Sequence, residues 1–122
     1  MARVLIVDDE PDFCMVLKAF LVKRGHEVLL AFSGEDALVL LQGQRPHLML
    51  LDIRMPGMSG IEVLKRVRED DKEMGIIMVS AIHEEEMIKK VLALGANDYI
   101  TKPVDLHHLE KNVLPKLITS CG

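Results

Sequence analysis

The chain has no tryptophan, one tyrosine and three phenylalanines in 122 residues, so its core must be built from Leu, Ile, Val, Met and Ala. Cysteine is equally scarce. Cys14 and Cys121 make no disulfide framework, and with no secretory pattern at the amino terminus they indicate a reduced, cytosolic protein. No apolar stretch approaches the ~20 residues needed to span a bilayer, so no membrane association is expected. Basic runs are missing and the net charge is -4, which leaves no electrostatic footprint for nucleic acid. The five histidines (His26, His47, His83, His107, His108) lack metal-ligand spacing and read as surface or loop residues. Repeats, low-complexity segments and linkers are absent too, so residues 1–122 are expected to form one domain.

What is present is a hydrophobic fraction of 49%, enough for a real core. Short apolar runs at Val4–Val7, Val28–Leu30, Leu48–Leu51, Ile76–Val79 and Tyr99–Ile100 are mostly continuous, as parallel strands covered on both faces should be. Between them lie segments with helical spacing. Phe13, Val16, Leu17, Phe20 and Leu21 predict one face of a first helix, with Pro11 in its first turn and Gly25 at its end. Ser33 with Asp36, and Ser59 with Glu62, predict the capped starts of the second and third helices, the third burying Ile61 and Leu64. Met87, Ile88, Val91 and Leu92 mark a fourth, with Glu84 to Glu86 at its start and Gly95 past its end. A fifth begins after Asp105, with Leu106, Leu109, Val113 and Leu117 inward, and Pro115 should kink or end it. Five strands alternating with five helices predict an α/β domain with a parallel sheet.

Open parallel sheets bind ligands at the carboxyl ends of their strands. Here the first strand ends in Asp8, Asp9 and Glu10, the third in Asp52, the fourth in Ser80, and the fifth in Thr101 and Lys102. Clustered carboxylates repel and raise one another's pKa unless a cation stands among them. An oxygen-only site suits Mg²⁺, and a carboxylate beside it is a competent nucleophile for phosphoryl transfer. Asp52, alone on a central strand, is the candidate nucleophile. Taken singly, each residue has a plainer reading: Asp8 and Asp9 as helix-entry residues, Asp52 as turn chemistry, Lys102-Pro103 as a turn, Tyr99 as a core residue. Their joint placement at four strand ends carries the weight.

Three stretches in order then match a known family. "VLIVDDEP", "LLDIRMPGMSGIE" and "GANDYITKP" resemble the first strand, the phosphoacceptor strand and loop, and the last strand of the receiver domain of bacterial two-component response regulators. The resemblance implies a flavodoxin-like (βα)5 fold of strand order 2-1-3-4-5. It implies that Asp52 accepts phosphate from the phosphohistidine of a histidine kinase or phosphotransfer protein. Mg²⁺, with Mn²⁺ as a substitute, would be held by Asp8, Asp9, Asp52 and the backbone carbonyl of Arg54. Lys102 would pair with the phosphate and Ser80 would hydrogen-bond it as Tyr99 turns inward. Ala81 supplies the small residue beside the pocket, and the Lys102–Pro103 bond is typically cis in the family. Output, by homodimerisation or partner docking, would run through the face of the fourth helix, fifth strand and fifth helix. The family has a phosphorylation switch rather than an enzyme acting on a separate substrate. Departures are small: Ser80 where threonine is commoner, Val104 where phenylalanine often stands, and the late Pro115.

Rival classes fit less well. A haloacid dehalogenase-type phosphohydrolase usually carries a second Asp two residues after its nucleophile, where this chain has Arg54. A dinucleotide-binding domain needs a G-x-G-x-x-G after the first strand, which is missing. A pseudo-receiver usually loses an acidic, hydroxyl or lysine residue, and none is lost.

Overall fold

Residues 2–118 are described by a computed structural model, with side chains through Lys116. Each apolar run becomes a strand: β1 (Arg3–Val7), β2 (Glu27–Ala31), β3 (Leu48–Leu51), β4 (Gly75–Ser80) and β5 (Asp98–Thr101). All pairings are parallel, and the sheet order is β2-β1-β3-β4-β5, as the family resemblance implied. The crossovers are α1 (Pro11–Lys23), α2 (Gly34–Gly43), α3 (Gly60–Asp70) and α4 (Glu85–Ala93). The chain closes with α5 (Leu106–His108), a π-helical segment (Leu109–Val113) and α6 (Leu114–Ile118). Among the described residues, no helix is long and apolar enough to cross a membrane.

Successive side chains of a strand point to opposite faces, and the inner strands sort accordingly. Leu5, Val7, Met49, Leu51, Ile76 and Met78 pack with Ala37 of α2, Val63, Leu64 and Val67 of α3, and Val91 of α4. Val4, Ile6, Leu48, Leu50, Ile77 and Val79 pack with Cys14, Leu17 and Leu21 of α1 and Leu109, Val113 and Leu114 of the carboxyl-terminal helices. The sheet is thus buried on both sides, which explains why its strands are continuously apolar.

The helix starts follow local rules. Ser33 and Ser59 cap α2 and α3, their hydroxyls accepting the Asp36 and Glu62 backbone N–H at 3.0 and 3.3 Å. Pro11 opens α1, and Gly25 follows that helix at a φ of 88°. Two inner-face assignments need correction. Val16 of α1 is 61% exposed, because the buried stripe runs through Cys14, Leu17 and Leu21, with Phe13 and Phe20 half-buried beside it. Leu92 of α4 likewise faces out, while Val91 is buried and Met87 and Ile88 are half-buried.

Pro115 does not end the last helix. The turn upstream of it widens instead: the Leu114 N–H reaches back five residues to the Leu109 carbonyl. In a regular α-helix the proline ring would collide with the Lys111 carbonyl four residues back, and a π turn relieves such a conflict. An Arg24–Glu110 ion pair ties this segment to the end of α1, with the Arg24 guanidinium 3.7 Å over the Phe20 ring. The expectation for Leu117 falls on a side chain outside those described, and Cys121 lies outside the described residues.

Candidate functional site

Strand register builds the site. Val7 pairs with Leu51, and the ladder continues one step further, the Asp52 N–H donating to the Val7 carbonyl at 3.0 Å. Asp8 and Asp52 therefore leave adjacent strands side by side. On the other flank Ser80 pairs with Thr101, and the Lys102 N–H donates to the Ser80 carbonyl at 2.9 Å. Four strand ends thus deliver their polar residues to one edge of the sheet.

The carboxylates are held in apolar surroundings. Asp8 is 1% exposed and Asp52 6% exposed; Asp8 follows the four buried residues Val4–Val7, and Asp52 follows a strand buried throughout. Gly60 permits this depth: its N–H donates to the Ile53 carbonyl at 2.8 Å, bringing the start of α3 directly over the Asp52 backbone. Asp8 also accepts the Glu10 N–H at 3.0 Å, which turns the chain into α1.

Lys102 is the counter-ion. Its Nζ donates to Asp8 at 2.7 Å, to Glu10 at 2.8 Å and to Asp52 at 3.3 Å, and it lies 4.4 Å from the centre of the Phe13 ring. Burial opposes its charge, but hydrogen bonds to Asp8 and Glu10 and the charge of Asp52 outweigh this and raise its pKa well above the ordinary range. For Asp8 the balance tips the other way from a simple ion pair. Burial, reinforced by the nearby Asp52 charge, raises its pKa despite the bonds from Lys102 and the Glu10 N–H. The neighbouring Cys14 thiol, which donates to the Asp8 carbonyl at 3.4 Å, is pushed up to about 11 by burial first and the Asp8 charge second.

The switch candidates form a second chain of bonds. The Ser80 hydroxyl, on a residue 1% exposed, accepts the Ile82 N–H at 3.3 Å. The Tyr99 hydroxyl donates to the Ile82 carbonyl at 2.7 Å, and burial raises its pKa. Ser80, the β4–α4 loop and Tyr99 are therefore linked through one residue. Ala81 is exposed and shares a cleft of about 460 Å³ with Arg54, Ile82, His83 and Glu84. The Lys102–Pro103 peptide bond is cis. A concavity of about 710 Å³ between α2 and α3 is lined by residues such as Leu41, Arg45, Arg66 and Met74 and lies apart from this chemistry.

Among the described residues, the carboxylates close enough to share one cation are Asp8, Glu10 and Asp52, with one oxygen of each within 4.8 Å of the others. This all-oxygen, anionic donor set fits a hard divalent cation such as Mg²⁺ or Mn²⁺. The grouping differs from the one expected from sequence. Asp9 is half-buried and outside the trio, Arg54 is exposed, and Glu10 enters instead. Glu10 was readable only as the last acid of the "DDE" run; its partner Lys102 lies 92 residues away.

Comparisons agree with this geometry. A model of the response regulator receiver domain matches residues 4–114. Protein PilH of Pseudomonas aeruginosa is 38% identical over 115 residues, which cover 93% of this chain and 95% of that protein. The chemotaxis protein CheY4 of Vibrio cholerae superposes with a TM-score of 0.89 at 32% identity, over 96% of this chain and 98% of the other. The response regulator TrrA of Thermotoga maritima, solved in complex with Mg²⁺ and BeF, gives a TM-score of 0.85 at 34% identity, over 96% and 99% of the two chains. With the acidic strand ends, the lysine and the flavodoxin-like sheet in their family order, the chain belongs to the response regulator receiver family, a family of phosphorylation-dependent signalling domains.

Proposed function

We propose that this receiver domain is switched by phosphorylation of Asp52, with the phosphohistidine of a histidine kinase or phosphotransfer protein as donor. One observation carries the reading: a buried, rigidly held carboxylate stands 3.3 Å from an ammonium already positioned by Asp8. An Asp52 oxygen attacks phosphorus as the phosphorus–nitrogen bond of the donor breaks, and the bonding pair leaves with the imidazole. Lys102 then donates to the transferred group. Ser80 turns its hydroxyl to a phosphoryl oxygen and gives up the Ile82 N–H. Ala81, having no bulk beyond Cβ, leaves the cleft it shares with Arg54 and His83 open to the donor.

Asp8 and Asp52, with Asp9 and the backbone carbonyl of Arg54, would hold Mg²⁺ or Mn²⁺. The bound cation offsets the repulsion between these carboxylates and the incoming phosphoryl group. TrrA, which is similar over 96% of this chain, was solved in complex with Mg²⁺ and BeF, and this supports a divalent cation as the ligand class. The same residues assist later hydrolysis of the aspartyl phosphate, so the domain resets itself.

Phosphoryl capture by Ser80 alters the loop that Tyr99 holds through the Ile82 carbonyl. That bias spreads to the face of α4, β5 and the carboxyl-terminal helices, where a second copy or an output partner docks. Incubation with acetyl phosphate and Mg²⁺, followed by intact-mass measurement, tests the reading. Wild type gains one phosphoryl group and Asp52→Asn gains none. An unmodified wild type, or equal modification of both, overturns it.

A further inference from the structure

An ammonium has three N–H groups, and those of Lys102 have three carboxylate partners: Asp8, Glu10 and Asp52. If Asp52 carries a phosphoryl group to which Lys102 donates, one of the present bonds has to loosen. The three are not equally easy to give up. Asp8 and Asp52 are buried, so leaving either unpaired exposes a carboxylate to full desolvation cost. The Glu10 side chain is 62% exposed against 13% for Lys102, and water replaces the lost bond at once. Its backbone meanwhile stays fixed to the site through the N–H bond to Asp8.

We infer that Glu10 is a positioning residue for Lys102: it holds the ammonium in the resting protein and is the acceptor surrendered when Asp52 is phosphorylated. This deepens the phosphoacceptor reading and rests on it. Glu10 competes with the phosphoryl group for Lys102, so it slows phosphorylation and shortens the phosphorylated lifetime. The alternative role for Glu10, a direct metal ligand beside Asp8 and Asp52, has the opposite sign: its removal would weaken Mg²⁺ binding and slow the reaction.

The test compares wild type, Glu10→Gln and Asp12→Asn. Asp12 lines the same cleft beside Lys102 but makes no bond to it, so it reports the effect of local charge alone. First, the Lys102 ammonium signal is followed by ¹H–¹⁵N NMR in metal-free protein, assigned by its loss in Lys102→Met. Glu10→Gln shifts or broadens the signal and Asp12→Asn leaves it in place. Second, phosphorylation by acetyl phosphate with Mg²⁺ is timed. Glu10→Gln reacts about two- to fivefold faster, the range expected for releasing a half-exposed ion pair, and Asp12→Asn matches wild type. An unchanged Lys102 signal overturns the inference, as does an Asp12→Asn gain equal to that of Glu10→Gln. A slower Glu10→Gln with weaker Mg²⁺ affinity overturns it in favour of a metal ligand. If wild type forms no adduct, the phosphoacceptor reading itself falls and this inference with it.

Discussion

Asp8 shows how a single side chain is set against its own fold. Its carboxyl is buried beside Asp52, and its pKa is raised even though Lys102 donates to it. A raised folded-state pKa contributes stability that is fully present below the unfolded carboxylate pKa. That contribution is lost as pH rises through the folded value. At neutral pH the ionised Asp8 therefore costs stability. Asp8→Asn should melt a few degrees above wild type at pH 7 without metal, the shift that about 1 kcal/mol produces in a domain of this size. The difference should shrink as pH falls through the carboxylate range. Thermal melts in chelator across that range check it, and a variant less stable than wild type at pH 7 would sink the argument. The Asp8–Lys102 pairing lay beyond sequence reading: the strand ends identified both residues, but only the fold brings positions 94 apart in the chain to 2.7 Å.

Elements position the site by how closely they approach. A Cβ on Gly60 would fall 1.9 Å from the Asp52 carbonyl oxygen and 2.8 Å from its carbonyl carbon, both rigid backbone. Gly60→Ala must therefore push the first turn of α3 off the loop that carries Asp52. The expected cost is about 3 kcal/mol in chemical denaturation, the upper end for overpacking. Gly43→Ala is the matched control, since nothing lies within 4 Å of its added Cβ, and it should change stability by less than about 1 kcal/mol. Equal stability of the two variants would show that the close approach is not required. Helix existence and capping were legible at this scale, because Ser33 and Ser59 act on their own neighbours. Facing was less so: α1 is apolar on its outer side too, at Met15, Val16 and Val22, so spacing alone could not centre its buried stripe. From sequence, Pro115 predicts only a kink or an end and not the π turn before it, since apolar spacing does not record a change of winding.

At the scale of the whole molecule, a sheet buried on both faces carries a charged cluster on its carboxyl edge, where the hydrophobic core fixes the strand ends. Strand order followed from the family resemblance, and the strands themselves from their unbroken apolar runs. Glu10 is counted among the strand-end acids of the sequence but given no role there, because an acid entering a helix has an ordinary explanation. The central claim is that, among Asp8, Asp9, Glu10 and Asp52, only Asp52 becomes the acyl phosphate. Borohydride reduction of an aspartyl phosphate leaves homoserine at the modified position, which peptide mass spectrometry locates. After treatment with acetyl phosphate and Mg²⁺, homoserine at position 52 alone is the predicted result; homoserine at position 8 or 9, a reduced glutamyl at position 10, or no reduction product would contradict the account.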